Sequence, residues 1–98
     1  MIIQEIINLM PSSDKIITRI LRKYDQNRII AIGLKKGLFL PDHITDVPAL
    51  LIPIQGKVYF RSEVLSMEVQ ALEEVEIPLN VVHSLEALED SICILIKG

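Results

Sequence analysis

Residues 37–56 read GLFLPDHITDVPALLIPIQG, and the reading of this stretch decides the fold. A turn glycine, Gly37, is followed by a proline and a histidine, Pro41 and His43, and then by the apolar run Leu50 to Ile54, which closes on Gln55 and Gly56. The run reads as a buried strand and the whole stretch as the front wall of a pocket. Lys57 to Arg61 is the next strand, with Gln55 and Gly56 as the tight connection between the two. Pro53 cannot donate to a ladder, so the first of these strands lies at a sheet edge, is bulged, or is broken there. Pro41 and Asp42 are expected to interrupt the chain ahead of His43.

Outward from this stretch the pattern stays that of short strands. Ile16 to Lys23 and Arg28 to Leu34 are β-branched runs around Tyr24, Asp25, Gln26 and Asn27, which predicts an antiparallel hairpin. Val64 to Val69, Val75 to Ile77, Val81 to Ala87 and Ser91 to Ile96 follow, joined by short polar or proline-containing connections. Only residues 1–13 differ. There Ile2, Ile3, Ile6, Ile7 and Met10 recur at helical spacing until Pro11, which predicts a short amphipathic helix or arm, with a strand as the alternative. About eight short strands without an interior helix imply an all-β antiparallel architecture, closed or sandwiched.

Composition narrows the function classes. Ninety-eight residues, half of them hydrophobic and 23% charged, make one domain, 1–98, with a real core. A net charge of −3 with scattered Lys and Arg offers no field for a phosphate backbone, so nucleic acid is not an expected partner. No run of apolar residues is long enough to span a membrane, and MIIQEIINLM lacks the features of a signal peptide, so the expected setting is cytoplasmic, with no membrane partner. The lone cysteine, Cys93, sits in an apolar run and reads as a small buried hydrophobe. The acidic residues Glu73, Glu74, Glu76, Glu86, Glu89 and Asp90 read as a solvated face rather than a catalytic set.

Several strands are apolar on both faces. Leu50, Ile52 and Ile54 alternate with Leu51, and Ile92, Ile94 and Ile96 alternate with Cys93 and Leu95. A sheet face that should meet water but is apolar needs a cover, and a second copy of the chain supplies it, which predicts a homodimer. The alternative cover is the N-terminal helix.

Gly37 is followed by five residues and His43; Thr45, Ala49 and Gly56 then fall at fixed intervals. In this the stretch 37–56 resembles the first motif of the cupin family, G-x5-H-x-H-x3-E-x6-G, with Thr45 in place of the second histidine and Ala49 in place of the glutamate. Residues 72–87 resemble the second motif, G-x5-P-x-G-x2-H-x3-N. Pro78 and His83 match, while Leu72 and Asn80 stand at its glycines and Ala87 at its asparagine. The resemblance implies a small RmlC-like antiparallel jelly-roll barrel with a short N-terminal helix. It also implies a divalent metal held inside the barrel by three histidines and a glutamate.

Only His43 and His83 remain of those four donors, and because a divalent metal generally needs three or four protein donors, each replacing a tightly held water, these two alone would hold one weakly. Thr45 offers a poor hydroxyl, Ala49 nothing. Asp46, three residues after His43, is a substitute carboxylate. Thr45, Asp46, Ala49 and Phe39 are therefore candidates for the pocket, beside His43 and His83 as metal or ligand candidates. No cofactor is expected beyond a weakly bound Zn, Fe, Mn or Ni ion. The implied role is non-catalytic binding of a small molecule at a decayed metal site. The alternatives are a metal-dependent enzyme of dioxygenase or isomerase type using His43 and His83, and a sensory or regulatory module acting with another protein.

Overall fold

The computed structural model describes residues 1–98: one helix, a single 3-10 turn and nine strands. Helix α1, Ile2–Leu9, ends in the 3-10 turn Met10–Ser12, where Pro11 takes a first-turn position that needs no amide donor. Strands β1 (Ile17–Tyr24) and β2 (Asn27–Leu34) form the expected hairpin, with Tyr24 opposite Asn27. The others are β3 (Phe39–His43), β4 (Ala49–Gln55), β5 (Lys57–Ser62), β6 (Ser66–Gln70), β7 (Val75–Ile77), β8 (His83–Ala87) and β9 (Ser91–Lys97).

They make two antiparallel sheets. The first has the order β1-β2-β9-β4-β7 and the second β3-β8-β5-β6. The core fills the space between them: Phe60, Val58 and Val69 from the second sheet meet Leu34, Leu51 and Cys93 from the first. Burial among these side chains pushes the Cys93 thiol up to about 12, which makes it the inert hydrophobe its apolar run predicts.

Two expectations need correction. The connection at Gln55 and Gly56 is tight but is not a hairpin, because β4 pairs with β7 and β9 whereas β5 pairs with β6 and β8. The chain there passes from one sheet to the other. Pro53, by contrast, takes the bulged form among those expected of it: it lies in a central strand, opposite Cys93, and the ladder slips by one residue between Pro53 and Gln55. It is tolerated because β7 pairs only with Ala49, Leu50 and Leu51, so nothing beside Pro53 asks for an amide donor. Lastly, Pro41 and Asp42 do not interrupt the chain. They lie inside β3, an edge strand, in a bulge between Leu40 and His43.

The outer face of the first sheet has a cover of its own. Ile6 of α1 and Met10 of the 3-10 turn bury Ile17, Ala31 and Ile92 in a second, smaller core. Gly33 makes this docking close: a side chain there would begin 2.5 Å from Ile6 Cγ2. The helix shields β1, β2 and the Ile92 end of β9 and leaves the rest of this face without a cover. Beyond the helix, Ile54 and Ile96 stay exposed at 38% and 36%.

Candidate functional site

His43 ends β3 and His83 begins β8, and the ladder places them opposite each other just past the β3 bulge. Without that extra residue the parity of His43 would be reversed and its ring would face the wrong side. The rings lie 4.1 Å apart between centroids, with Nε2 of one 3.0 Å from Nε2 of the other. His83 is 3% exposed and stacks on Phe60 at 5.6 Å, whereas His43 reaches solvent.

Each ring is held at its other nitrogen by a main-chain carbonyl two residues earlier. His43 Nδ1 is 2.9 Å from the Pro41 oxygen and His83 Nδ1 is 3.2 Å from the Val81 oxygen. A carbonyl oxygen only accepts, so both Nδ1 atoms must carry protons. The Nε2–Nε2 contact needs a third. Two neutral imidazoles hold two protons between them, which leaves either facing lone pairs at Nε2 or a bare Nδ1 against an oxygen. One added proton satisfies all three contacts. Burial holds His83 below the ordinary imidazole range, the Val81 carbonyl partly offsetting this, and the charges of His43 and Lys97 push it further down. In that arrangement the Nε2 of His83, which burial holds toward its neutral form, is the acceptor in the contact between the rings.

The space around the dyad is lopsided. Between the sheets, past the rings, only about 20 Å³ is open, room for one water. Packed side chains have filled the interior. Toward solvent, by contrast, a pocket of about 500 Å³ opens between β3 and the inner faces of β1, β2 and β9, with His43 in its wall. A small molecule would fit there and not within the core.

Of the sequence candidates, His43 and His83 come together and the other four do not join them. Phe39 is 59% exposed and lines neither space, because alternation along β3 turns Leu40 inward and its neighbour out. Thr45 is buried, but its Oγ1 is spent on the Val47 backbone, donating to the carbonyl at 2.9 Å and accepting from the amide at 3.4 Å. Asp46 is exposed in the loop that follows β3. Ala49 is core, 2% exposed. Arg28, Ile30 and Leu95, which do line the open pocket, were not anticipated. They come from β2 and β9, outside both histidine motifs. The available signal was the inward alternation Arg28, Ile30, Ile32 along β2.

The implied metal can be tested against these side chains. No three His, Cys, Asp or Glu residues come together anywhere as a metal-holding group. Two imidazoles are half of the donor set that the family resemblance implies, and the positions of the other two donors hold a committed hydroxyl and a methyl group. These residues do not fit a resident metal, and no step is drawn through one. The acidic residues serve the surface: Glu86 pairs with Arg61 at 3.2 Å, Glu73 accepts the Gln70 amide at 2.7 Å, and Asp90 accepts the Lys36 amide at 2.8 Å.

No family model and no curated protein matches the chain. Solved structures do. A cupin superfamily protein of Desulfitobacterium hafniense DCB-2 superposes with a TM-score of 0.81 at 12% identity, over 87% of this chain and 78% of the other. An RmlC-like cupin protein of Desulfovibrio desulfuricans gives 0.77 at 14% identity, over 86% and 82%. KdgF from a Halomonas species gives 0.76 at 15% identity, over 87% and 82%. At such identities the likeness is one of fold, and the fold of this chain is that of a small cupin.

Proposed function

We propose that the protein is a non-catalytic binder of a small molecule, which sits in the open pocket against the His43–His83 dyad, at what was a metal site. The observation that supports this most is the contrast in volume and chemistry: about 500 Å³ at the mouth and about 20 Å³ within, with no third metal donor at the rings. In this reading His83 is the positioning residue, fixed by Phe60 and the Val81 carbonyl, and it holds the exposed ring of His43 toward the ligand. The protein is proposed to act as a homodimer through the outer face of the first sheet. A cytoplasmic setting suits its single, unpaired Cys93.

The competing reading is a metal-dependent enzyme, favoured by one feature: both Nδ1 atoms are anchored to carbonyls, as in histidines that present Nε2 to a metal. Elemental analysis of protein purified without chelator separates the two. The binding reading expects metal well below one equivalent, unchanged in His43→Ala and His83→Ala. Stoichiometric metal that disappears in either variant would sink it and leave the enzyme.

A further inference from the structure

The pocket at the dyad has a charge unlike that of the molecule around it. The chain is acidic, at −3, yet no carboxylate lines this pocket, whose polar side chains are Thr18, Arg19, Arg28 and His43. Arg19 is already answered by Glu5 of α1 at 3.4 Å. Arg28 is not. It faces Lys97 directly across the β2–β9 ladder, and neither belongs to the ion pairs Arg19–Glu5, Lys57–Glu89 or Arg61–Glu86. Like charges directly opposed on neighbouring strands are unfavourable, and nothing in the fold relieves them. The charge of Lys97 also acts on His83, so the cationic rim and the dyad share one field. Below the rim the lining is apolar, with Ile30, Ile32, Leu40 and Leu95.

Resting on the binding role above, we infer that the ligand is a small monocarboxylate with an apolar body, its carboxylate taken by Arg28 and Lys97 at the rim and its hydrocarbon laid on Ile30, Ile32, Leu40 and Leu95. Guanidinium and carboxylate match as paired donors and acceptors, and the anion removes the opposition between the two cations. A highly charged or wholly polar ligand would leave the apolar floor wet.

The test is a nuclear magnetic resonance titration of the isotope-labelled full chain with three probes: hexanoate, hexanamide and acetate. Hexanoate is expected to shift the amides of β2 and β9 around Ile30, Ile32 and Leu95 saturably, with hexanamide and acetate each weaker by about tenfold or more. Arg28→Gln, a change at an exposed rim position, is expected to weaken hexanoate by about the same factor and leave hexanamide as it was. Hexanamide binding as tightly as hexanoate overturns the carboxylate assignment while the pocket keeps its binding role. So does hexanoate binding unchanged in both Arg28→Gln and Lys97→Gln. If all three probes bind elsewhere or nowhere, the binding role falls with it.

Discussion

At the scale of the residue, the dyad turns on a count of protons. Burial holds the folded His83 toward its neutral form, and the nearby charges of His43 and Lys97 add to this, the Val81 carbonyl partly offsetting it. In the unfolded chain His83 titrates near its ordinary value of 6.5. As pH falls through that value the unfolded state takes up a proton that the fold refuses, so the stability contributed by a neutral His83 is complete above it and is lost toward lower pH. The denaturation midpoint should therefore drop as pH falls from about 7 to about 5.5, the folding constant changing by no more than about tenfold per pH unit on account of this ring. His83→Gln should flatten the profile. A wild-type midpoint that is level, or that rises on acidification, would show that the fold does not hold His83 neutral. That the two histidines meet was legible in the spacing of the motifs. What surrounds them was not, since loop residues such as Asp46 have no strand parity and Thr45 is spent on a local turn.

At the scale of the element, the backbone has outlasted its side chains. Four positions match the family's motif glycines, and all four lie in the left-handed region: Gly37 at φ 91°, Gly56 at 84°, Leu72 at 71° and Asn80 at 57°. Asparagine tolerates this conformation and leucine does not. Leu72 is nonetheless held there, its amide donating to the Pro53 carbonyl at 2.7 Å, which ties the turn after β6 to the bulged end of β4. Its side chain is 79% exposed and contributes little to packing. Leu72→Gly should accordingly stabilise the protein by about 1 kcal/mol, read as a higher denaturant midpoint at unchanged slope. An unchanged or lower midpoint would mean the leucine is not strained. The substitutions in the sequence pattern thus concealed left-handed turns that the backbone still makes, while strands and other turns could be read from alternation and from Gly37, Gly56 and Pro78. Which strand pairs with which could not, since at Gly56 the same two-residue connection serves for a hairpin or for a passage between sheets.

At the scale of the whole molecule, the two sheets differ in what they turn outward. The second sheet presents Tyr59, Arg61, Glu68 and Glu86, with cross-strand pairs such as Tyr59 opposite Glu68 and Glu86, a face suited to water. The first presents Ile29, Leu50, Ile52 and Ile96, paired in rows such as Leu50 with Ile96 and Ile96 with Ile29, and α1 covers the region over β1, β2 and the Ile92 end of β9. Helix and proposed partner would thus be complementary covers for one face, which is why apolar alternation alone did not choose between them. In a two-fold pair each copy would bring the same row, so a charge placed in it is buried twice. Sedimentation of the wild-type chain at about 100 μM should give the mass of a dimer, and Ile96→Glu should weaken association by roughly a hundredfold or more. Gln70→Glu, on the polar outer face of the second sheet, should leave the mass unchanged. A wild-type monomer, or an Ile96→Glu dimer as tight as the wild type, removes this face as the interface, and the apolar row would then need another partner.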